Sequence, residues 1–265
     1  MNTRGKGGAA RALMIGDVVG DPGLEALETL LPGLIRELDA DFAVVNGENA
    51  AGGFGMTEEA LERIAAAGAD VVTSGNHVWE KREFFPALDR DSRILRPANY
   101  PAGCAGRGWG FVEKRGIRWL VVNLQGRDLM QAVDCPFRAF DRIWEESGGG
   151  VTLVDFHAET TREKECLGYY VDGRASLIAG THTHILTADE RVLPQGTGYI
   201  TDLGMTGAQG SIIGMDTKAC VERARTQVLW RTPCAQGSGA VQGVAADIHR
   251  ESGRAEAVFR IHRRA

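Results

Sequence analysis

The chain has 265 residues, 43% hydrophobic and 25% charged, enough to bury one large core; no linker, charge block or compositional break divides it, so a single domain over 1–265 is expected. Its 30 Lys and Arg against 35 Asp and Glu leave a formal charge of -5 without a dominant basic stripe, which argues against duplex nucleic acid as the main partner. No apolar run approaches the roughly 18 residues of a membrane span, and five scattered cysteines without a C-x-x-C pair suit a reducing compartment, so a cytoplasmic protein free of membrane is expected.

Residues 1–10 read as a flexible tail, and the basic groups at the two ends (Arg4, Lys6 and Arg11; Arg260, Arg263 and Arg264) as solvated charge. Short apolar runs bounded by Gly, Asn or Asp then recur at 12–17, 42–49, 71–77, 119–126, 151–157, 176–184 and 198–205. They are continuously apolar rather than alternating, the mark of strands buried on both faces. Helical patterns lie between them. Asp21-Pro22 reads as cap and first turn of a helix carrying Leu24, Leu27, Leu31, Leu34 and Leu38 at steps of three and four. Thr57 followed by Glu58 and Glu59 opens a second helix, which Gly68 closes, and Thr160 with Glu163 forms a capping box before a third. Strand alternating with helix predicts an α/β fold with a largely parallel or mixed sheet covered on both faces. Beyond about residue 185 helical spacing fades, and pieces such as "GVAADIHR" predict an antiparallel second half.

Polar residues able to bind metal come at the ends of those runs one after another: Asp17, Glu48 with Asn49, Asn76 with His77, His157, then His182 with His184 in "GTHTH". In an open α/β sheet the C-terminal strand edge is where ligands bind, so residues this far apart in sequence are expected to converge. Singly, each has a plain structural explanation as turn former, cap or buried histidine. Five strand ends sharing the property by chance is a poorer account. The set mixes carboxylate, carboxamide and imidazole without thiolate, which suits Fe, Mn, Zn or Co rather than structural zinc or calcium. Asp17, Glu48, Asn49, Asn76, His157, His182 and His184 make seven candidates, too many for one ion with an open position and suited to two sharing a carboxylate. Paired metals stabilise the attacking and leaving oxygens in phosphate-ester hydrolysis, so that reaction is expected. His77 is best kept free as a general acid for the departing alkoxide, with an eighth ligand or a structural donor as the open alternatives. In the extended chain an i, i+2 pair shares a face, so His182 and His184 are expected to look into one cleft.

Other features carry less. The glycines of 47–57 form either a mobile flap over substrate or a backbone cradle for phosphate, with a tight turn feeding the helix near Thr57 as the plain alternative. Arg127 is a candidate phosphate clamp with a surface role as the simpler reading, and Trp79 and Tyr100 are candidates for base stacking with core packing as theirs. Gly16, Gly20 and Gly23 have the wrong spacing for a dinucleotide fingerprint.

At the candidate ligands the sequence resembles the calcineurin-like metallophosphoesterase superfamily, through Gly16-Asp17, Gly47-Glu48-Asn49, Gly75-Asn76-His77, His157 and "GTHTH". Two positions depart from that pattern: Val19 replaces the usual histidine and Glu48 the usual bridging aspartate. Together with "IGDVVGDPG", "NGENAAGGFGMT", "RPANYP", "NLQGR", "VDFHAE", "TADERVLP" and "ITDLGMTG", these blocks are similar to a bacterial subfamily, the YmdB-type 2′,3′-cyclic nucleotide phosphodiesterases, from about residue 12 to 249. The resemblance implies a four-layer α/β/β/α sandwich and two metal ions, iron with Mn or other divalent ions able to substitute. Asp17, Glu48, Asn49 and His184 would hold the first ion, and Glu48, Asn76, His157 and His182 the second, with Asn49 filling the place of the missing histidine. It further implies attack on phosphorus by a metal-bridging hydroxide, with His77 protonating the leaving ribose oxygen and a nucleoside 3′-phosphate released from a small cyclic nucleotide. A phosphomonoesterase, a diesterase for another ester and a metal-binding regulatory scaffold are the alternatives. Whether copies of the chain form a homo-oligomer stays open.

Overall fold

The apolar runs become strands buried on both faces in the structure, a computed structural model that describes residues 8–265. In chain order the elements are β1 (Ala9–Ile15), β2 (Asp17–Val18), α1 (Gly20–Glu37), β3 (Phe42–Asn46), α2 (Glu58–Ala66), β4 (Val71–Thr73), α3 (Phe85–Arg90), β5 (Trp109–Lys114), β6 (Ile117–Gln125), α4 (Pro136–Ser147), β7 (Val151–His157), α5 (Thr161–Tyr170), β8 (Leu177–Thr181), β9 (Arg191–Val192), β10 (Gly198–Ile200), β11 (Met205–Ala208), α6 (Thr217–Thr226), β12 (Gly239–His249) and β13 (Ala255–Arg264). Short 3-10 turns sit at Asn76–Trp79 and Arg82–Phe84.

Two mixed sheets face each other. The first runs β2-β11-β12-β1-β3-β4, with β13 also paired to β12; the second runs β5-β6-β7-β8-β10-β9. β1, β3 and β4 are parallel, as are β6, β7, β8 and β10, so each group ends at one sheet edge. β12 runs antiparallel to β1, β11 and β13, as the second half of the sequence predicted.

Period-two alternation explains the layering. From β1, Leu13 and Ile15 pack under Leu24, Leu27 and Leu31 of α1 and Leu61 and Ile64 of α2. Ala10, Ala12 and Met14 of the same strand face the second sheet, where they meet a core shared with Trp119, Val121, Leu153 and Leu177. Phe42 stacks on Trp119 across that interface with centroids 4.8 Å apart. On the far side Leu120, Val122 and Val154 pack under Phe140 and Ile143 of α4 and Leu167 of α5. The result is helix, sheet, sheet, helix: four layers and three apolar cores.

Several local expectations need correction. Ala9 and Ala10 are buried in β1 rather than part of a tail, and Arg11 is buried in an ion pair with Asp247 at 2.6 Å; Arg4 and Lys6 lie outside the described residues. Arg260 and Arg263 belong to β13 and pair with Glu190 and Glu37, while Arg264 is exposed at its end. The first helix starts at Gly20 with Val19 before it and no side-chain cap, so Asp21 lies in the first turn, where its charge favours the helix dipole; Leu38 comes after the last turn. Thr57 caps α2 as expected, accepting from the Ala60 N–H, and Gly68 lies just beyond its end with φ 115°. The capping box at α5 is only half formed. Thr160 accepts from the Glu163 N–H, but the Glu163 carboxylate instead accepts from the backbone N–H groups of Arg127 and Asp128. Helix α6 was not expected at all: its sequence "TKACVERART" has too little apolar periodicity to announce it, and none of its residues is buried.

Candidate metal centre

β1, β3, β4, β7 and β8 end at the same place, and the residues at or just past their ends converge there. Asp17, Glu48, Asn49 and His157 are buried; Asn76, His182 and His184 are half-buried. His157 is the last residue of β7 and Asn76 opens a 3-10 turn just past β4, so parallel strand pairing carries them to one edge. All seven expected ligands are brought together with His77 beside them.

Glu48 lies between two groups of donors. On one side its Oε1 is 3.0 Å from His157 Nε2, which is also 3.0 Å from Asn76 Oδ1 and 3.0 Å from His182 Nδ1. The ligand atoms of Glu48, His157 and His182 all fall within 4.8 Å of one another. On the other side Oε1 is 3.1 Å from Asn49 Nδ2, Asn49 Nδ2 is 3.3 Å from His184 Nε2, and His184 Nε2 is 3.8 Å from Asp17 Oδ1. Two oxygens of this cluster, Asp17 Oδ1 and Asn49 Oδ1, are buried without a hydrogen-bond partner among the described residues. A buried orphan oxygen is costly, and Asp17 Oδ1, 3.8 Å from His184 and 3.9 Å from His157, lies where a cation would satisfy it; the Asn49 amide presents Nδ2 to Glu48 and His184.

Each histidine is oriented from behind. Thr181 Oγ1 donates to Asp155 at 2.7 Å and so accepts from the Nδ1–H of His157 at 2.9 Å, which makes Nε2 the nitrogen that faces the cluster and would lose its proton to ligate. His182 Nε2 is 3.1 Å from Glu159, and His184 Nδ1 is 2.9 Å from the Ile213 carbonyl oxygen; both contacts hold the proton away from the cluster. Backing acceptors of this kind fix tautomer and basicity in metal sites.

The electrostatics match. Burial works against the imidazolium of His157, but the Glu48 carboxylate beside it, with Asp17 and Asp155, lifts its pKa to about 9. Burial also raises Asp17 to about 6 despite His184 and His157, whereas Glu48, although buried, is drawn down to about 2 by His157 and His77. His182 is pushed down to about 3 by burial and by His157, so it is already a neutral ligand.

Gly75 has no room for a side chain. A Cβ there would lie 2.3 Å from both Glu48 Oε2 and His157 Nε2, the reason this turn reads Gly-Asn-His. The expected extended geometry of "GTHTH" is wrong: β8 stops at Thr181, and His182 and His184 have φ 100° and 65°. They reach one cleft because the chain turns in the left-handed region twice, held by Asp202, whose Oδ2 accepts from the N–H (3.2 Å) and Oγ1–H (2.8 Å) of the intervening Thr183.

His77 keeps its side chain out of the cluster. Its N–H donates to Glu48 Oε2 at 3.2 Å, while its ring contacts Glu80 through Nδ1 at 3.2 Å and meets the Phe54 ring edge-on at 5.2 Å. It shares with Glu48, His182 and His184 a cavity of about 520 Å³.

Residues 13–261 match the model of a family described as YmdB-like protein. This chain belongs to that family. It is 43% identical, over 95% of its length and 96% of the relative's, to the 2′,3′-cyclic-nucleotide 2′-phosphodiesterase of Bacillus subtilis. Among solved structures it resembles a hypothetical protein from Thermus thermophilus (41% identical, TM-score 0.91, 96% of this chain and 99% of that one) and a novel phosphatase from Mycoplasma pneumoniae (27% identical, TM-score 0.92, 99% and 95%).

For this member of the YmdB-like family, sequence reasoning missed the supporting groups. Asp155 lies two residues before His157 on the same strand, a period-two signal present in "VDFH"; it is buried and receives Thr181, Thr73 and Asn46. Glu159, two residues past His157, had no signal. Lys164 and Asp202, both 1% exposed and paired at 2.6 Å, lie 38 residues apart. The glycine-rich stretch is a hydrogen-bonded turn, with the Ala51 N–H on the Gly55 carbonyl, and Gly53 and Phe54 line the cleft. Arg127 is exposed and does not line the cleft. Trp79 packs between Phe85 and Tyr100, as core aromatics do, rather than in the cleft.

Proposed function

We propose that the chain is a dimetal phosphodiesterase that opens 2′,3′-cyclic nucleotides to nucleoside 3′-phosphates. The observation that carries this reading is the position of the Glu48 carboxylate between two donor groups, with Asp17 Oδ1 and Asn49 Oδ1 orphaned in the buried cluster. Asp17, Glu48, Asn49 and His184 would hold one ion and Glu48, Asn76, His157 and His182 the other; Asn49 would ligate through its carboxamide oxygen after a half-turn of the amide, which presents Nδ2 to Glu48 and His184 in this structure. The mixed nitrogen and oxygen set without thiolate favours iron, with manganese as a substitute. Bound divalent ions supply Lewis-acid charge at the phosphate oxygens and make hydroxide available near neutral pH.

The chain's own residues do the rest. His77 stands on the wall of the same cavity, oriented by Glu80, with Nε2 making no hydrogen bond among the described residues. As a hydroxide oxygen bonds to phosphorus and the bond from phosphorus to the ribose 2′ oxygen breaks, His77 gives its proton to that 2′ oxygen, and the phosphate stays on the 3′ oxygen. The 2′ regiochemistry is that in the name of the Bacillus subtilis relative. All five cysteines are free, which fits a cytoplasmic enzyme, and the described residues contain no helix long and apolar enough to cross a membrane.

The test is metal analysis coupled to a substrate panel of a 2′,3′-cyclic nucleotide, a linear diester and a phosphomonoester. Chelated protein should be inactive and regain cyclic-nucleotide hydrolysis with Fe(II) or Mn(II); full turnover by protein shown to be metal-free would overturn the reading. His77→Ala should lower turnover about 10²–10⁴-fold with both ions retained, which a regulatory scaffold gives no reason to expect.

A further inference from the structure

Only part of the 520 Å³ cavity is lined by the candidate ligands and His77; the rest is walled by Phe54, Met215 and Leu229 and by one face of α6. The residues that α6 turns toward it are Cys220, Arg223 and Ala224, with Gln227 just past its end. Their spacing of three, four and seven is the stripe a helix ordinarily packs against a core. Here the stripe faces a cavity instead, and no residue of α6 is buried.

The helix is nonetheless fixed in place. Asp216 caps it by accepting from the Ala219 N–H at 2.8 Å, and the Asp216 N–H donates to the Pro233 carbonyl at 2.9 Å. Residues just before it carry the Ile213 carbonyl that holds His184, so the wall and the metal cluster share one anchored segment. A wall fixed to the reactive centre and lined on its inner face is built for a ligand, not left over from folding.

The chemistry of the wall narrows what the ligand is. Arg223 forms no ion pair among the described residues, and its guanidinium makes only a long 3.4 Å bond to the Trp230 carbonyl there. Phe54 is a half-buried ring whose other contact is the Arg231 guanidinium at 5.4 Å. Leu229 on the rim is 82% exposed, an apolar side chain that a ligand would cover. An aromatic ring, apolar aliphatic groups, a guanidinium and a carboxamide together suit a flat heteroaromatic group with a polar edge.

We propose that this half of the cleft is a nucleoside subsite in which the base lies against Phe54 and Leu229 while Arg223 and Gln227 meet its polar edge. The subsite rests on the phosphodiesterase reading and selects mononucleotide-sized diesters over cyclic phosphates without a base.

Binding and turnover test it separately. Calorimetry on the manganese-loaded protein compares adenosine 3′-phosphate, checked to remain intact, with inorganic phosphate. The nucleotide should bind more tightly, and Phe54→Leu and Arg223→Gln should each shrink that advantage about tenfold, within the roughly 5–150-fold span that base stacking on aromatics covers. Arg223 is exposed and no residue of α6 is buried, so Arg223→Gln should fold as the parent does, which circular dichroism checks. In turnover, Arg223→Gln should raise KM for 2′,3′-cyclic AMP about tenfold and leave glycerol 1,2-cyclic phosphate unchanged. Equal binding of nucleotide and phosphate, or equal loss on both substrates, overturns the subsite. Preferential nucleotide binding without hydrolysis of any diester would leave the subsite standing and remove the phosphodiesterase reading instead.

Discussion

Lys164→Met tests how the two histidines of "GTHTH" are held. The Lys164 ammonium lies 2.6 Å from Asp202 Oδ2 with both side chains 1% exposed, and the same oxygen accepts from the N–H and Oγ1–H of Thr183. Removing the lysine leaves a buried carboxylate without its counter-charge, a change that costs about 3–5 kcal/mol. His182 and His184 flank Thr183 at φ 100° and 65°, conformations that cost about 1–3 kcal/mol each for residues with a Cβ and persist only when their surroundings enforce them. Weakening the Asp202 anchor should therefore lower metal occupancy as well as stability. Urea unfolding of the chelated protein at pH 7 gives the first quantity, and metal content per chain after loading with Mn(II) gives the second. The double variant Lys164→Met, Asp202→Leu removes the unpaired charge and should recover much of the stability, since apolar replacements of a buried pair are often neutral, but it should not recover the metal. Lys164→Met within about 1 kcal/mol of the parent and fully loaded would refute the argument.

Three further outcomes rest on the same geometry. His182→Ala and His184→Ala should each lower manganese content from two ions per chain toward one, with only His184→Ala leaving the group around His157 loaded; loss of both ions in both variants would show that the donors form one site. The ligands should release about one proton per chain on metal binding at pH 7, besides that of any bound water that ionises, because His157 at about 9 is charged in the metal-free protein and must become neutral to ligate, whereas His182 at about 3 is already neutral and Glu48 at about 2 already ionised. The ligand contribution should vanish above about pH 10 and grow below pH 6, where Asp17 also carries a proton, so affinity weakens on acidification; calorimetry in buffers of different ionisation enthalpy measures the change in release across that range. Gly75→Ala would place its Cβ 2.3 Å from Glu48 Oε2 and His157 Nε2, and elemental analysis should find it largely metal-free while its circular dichroism stays native.

The layered α/β architecture was legible in the sequence because continuous apolar runs and leucines at steps of three and four report burial on both faces directly. The expected ligands were legible for a related reason: Asp17, Glu48, Asn49, Asn76 and His157 lie at the ends of parallel strands, and parallel pairing brings such ends to one edge whatever the connections between them. Local chemistry also predicted Thr57 and Thr160 as caps, since a cap is a contact within one turn. What only the tertiary structure decided depends on pairs distant in the chain. The Glu163 carboxylate abandons its own helix for the N–H groups of Arg127 and Asp128, the Lys164 and Asp202 charges meet across 38 residues, and the fold of 182–184 is bent by Asp202 rather than extended. Helix α6 belongs with these. It buries no residue and so leaves no periodic trace in the sequence, yet its position over the cleft determines which groups stand opposite the candidate metals. Periodicity records what a segment buries, and a wall that faces a ligand buries nothing until the ligand arrives.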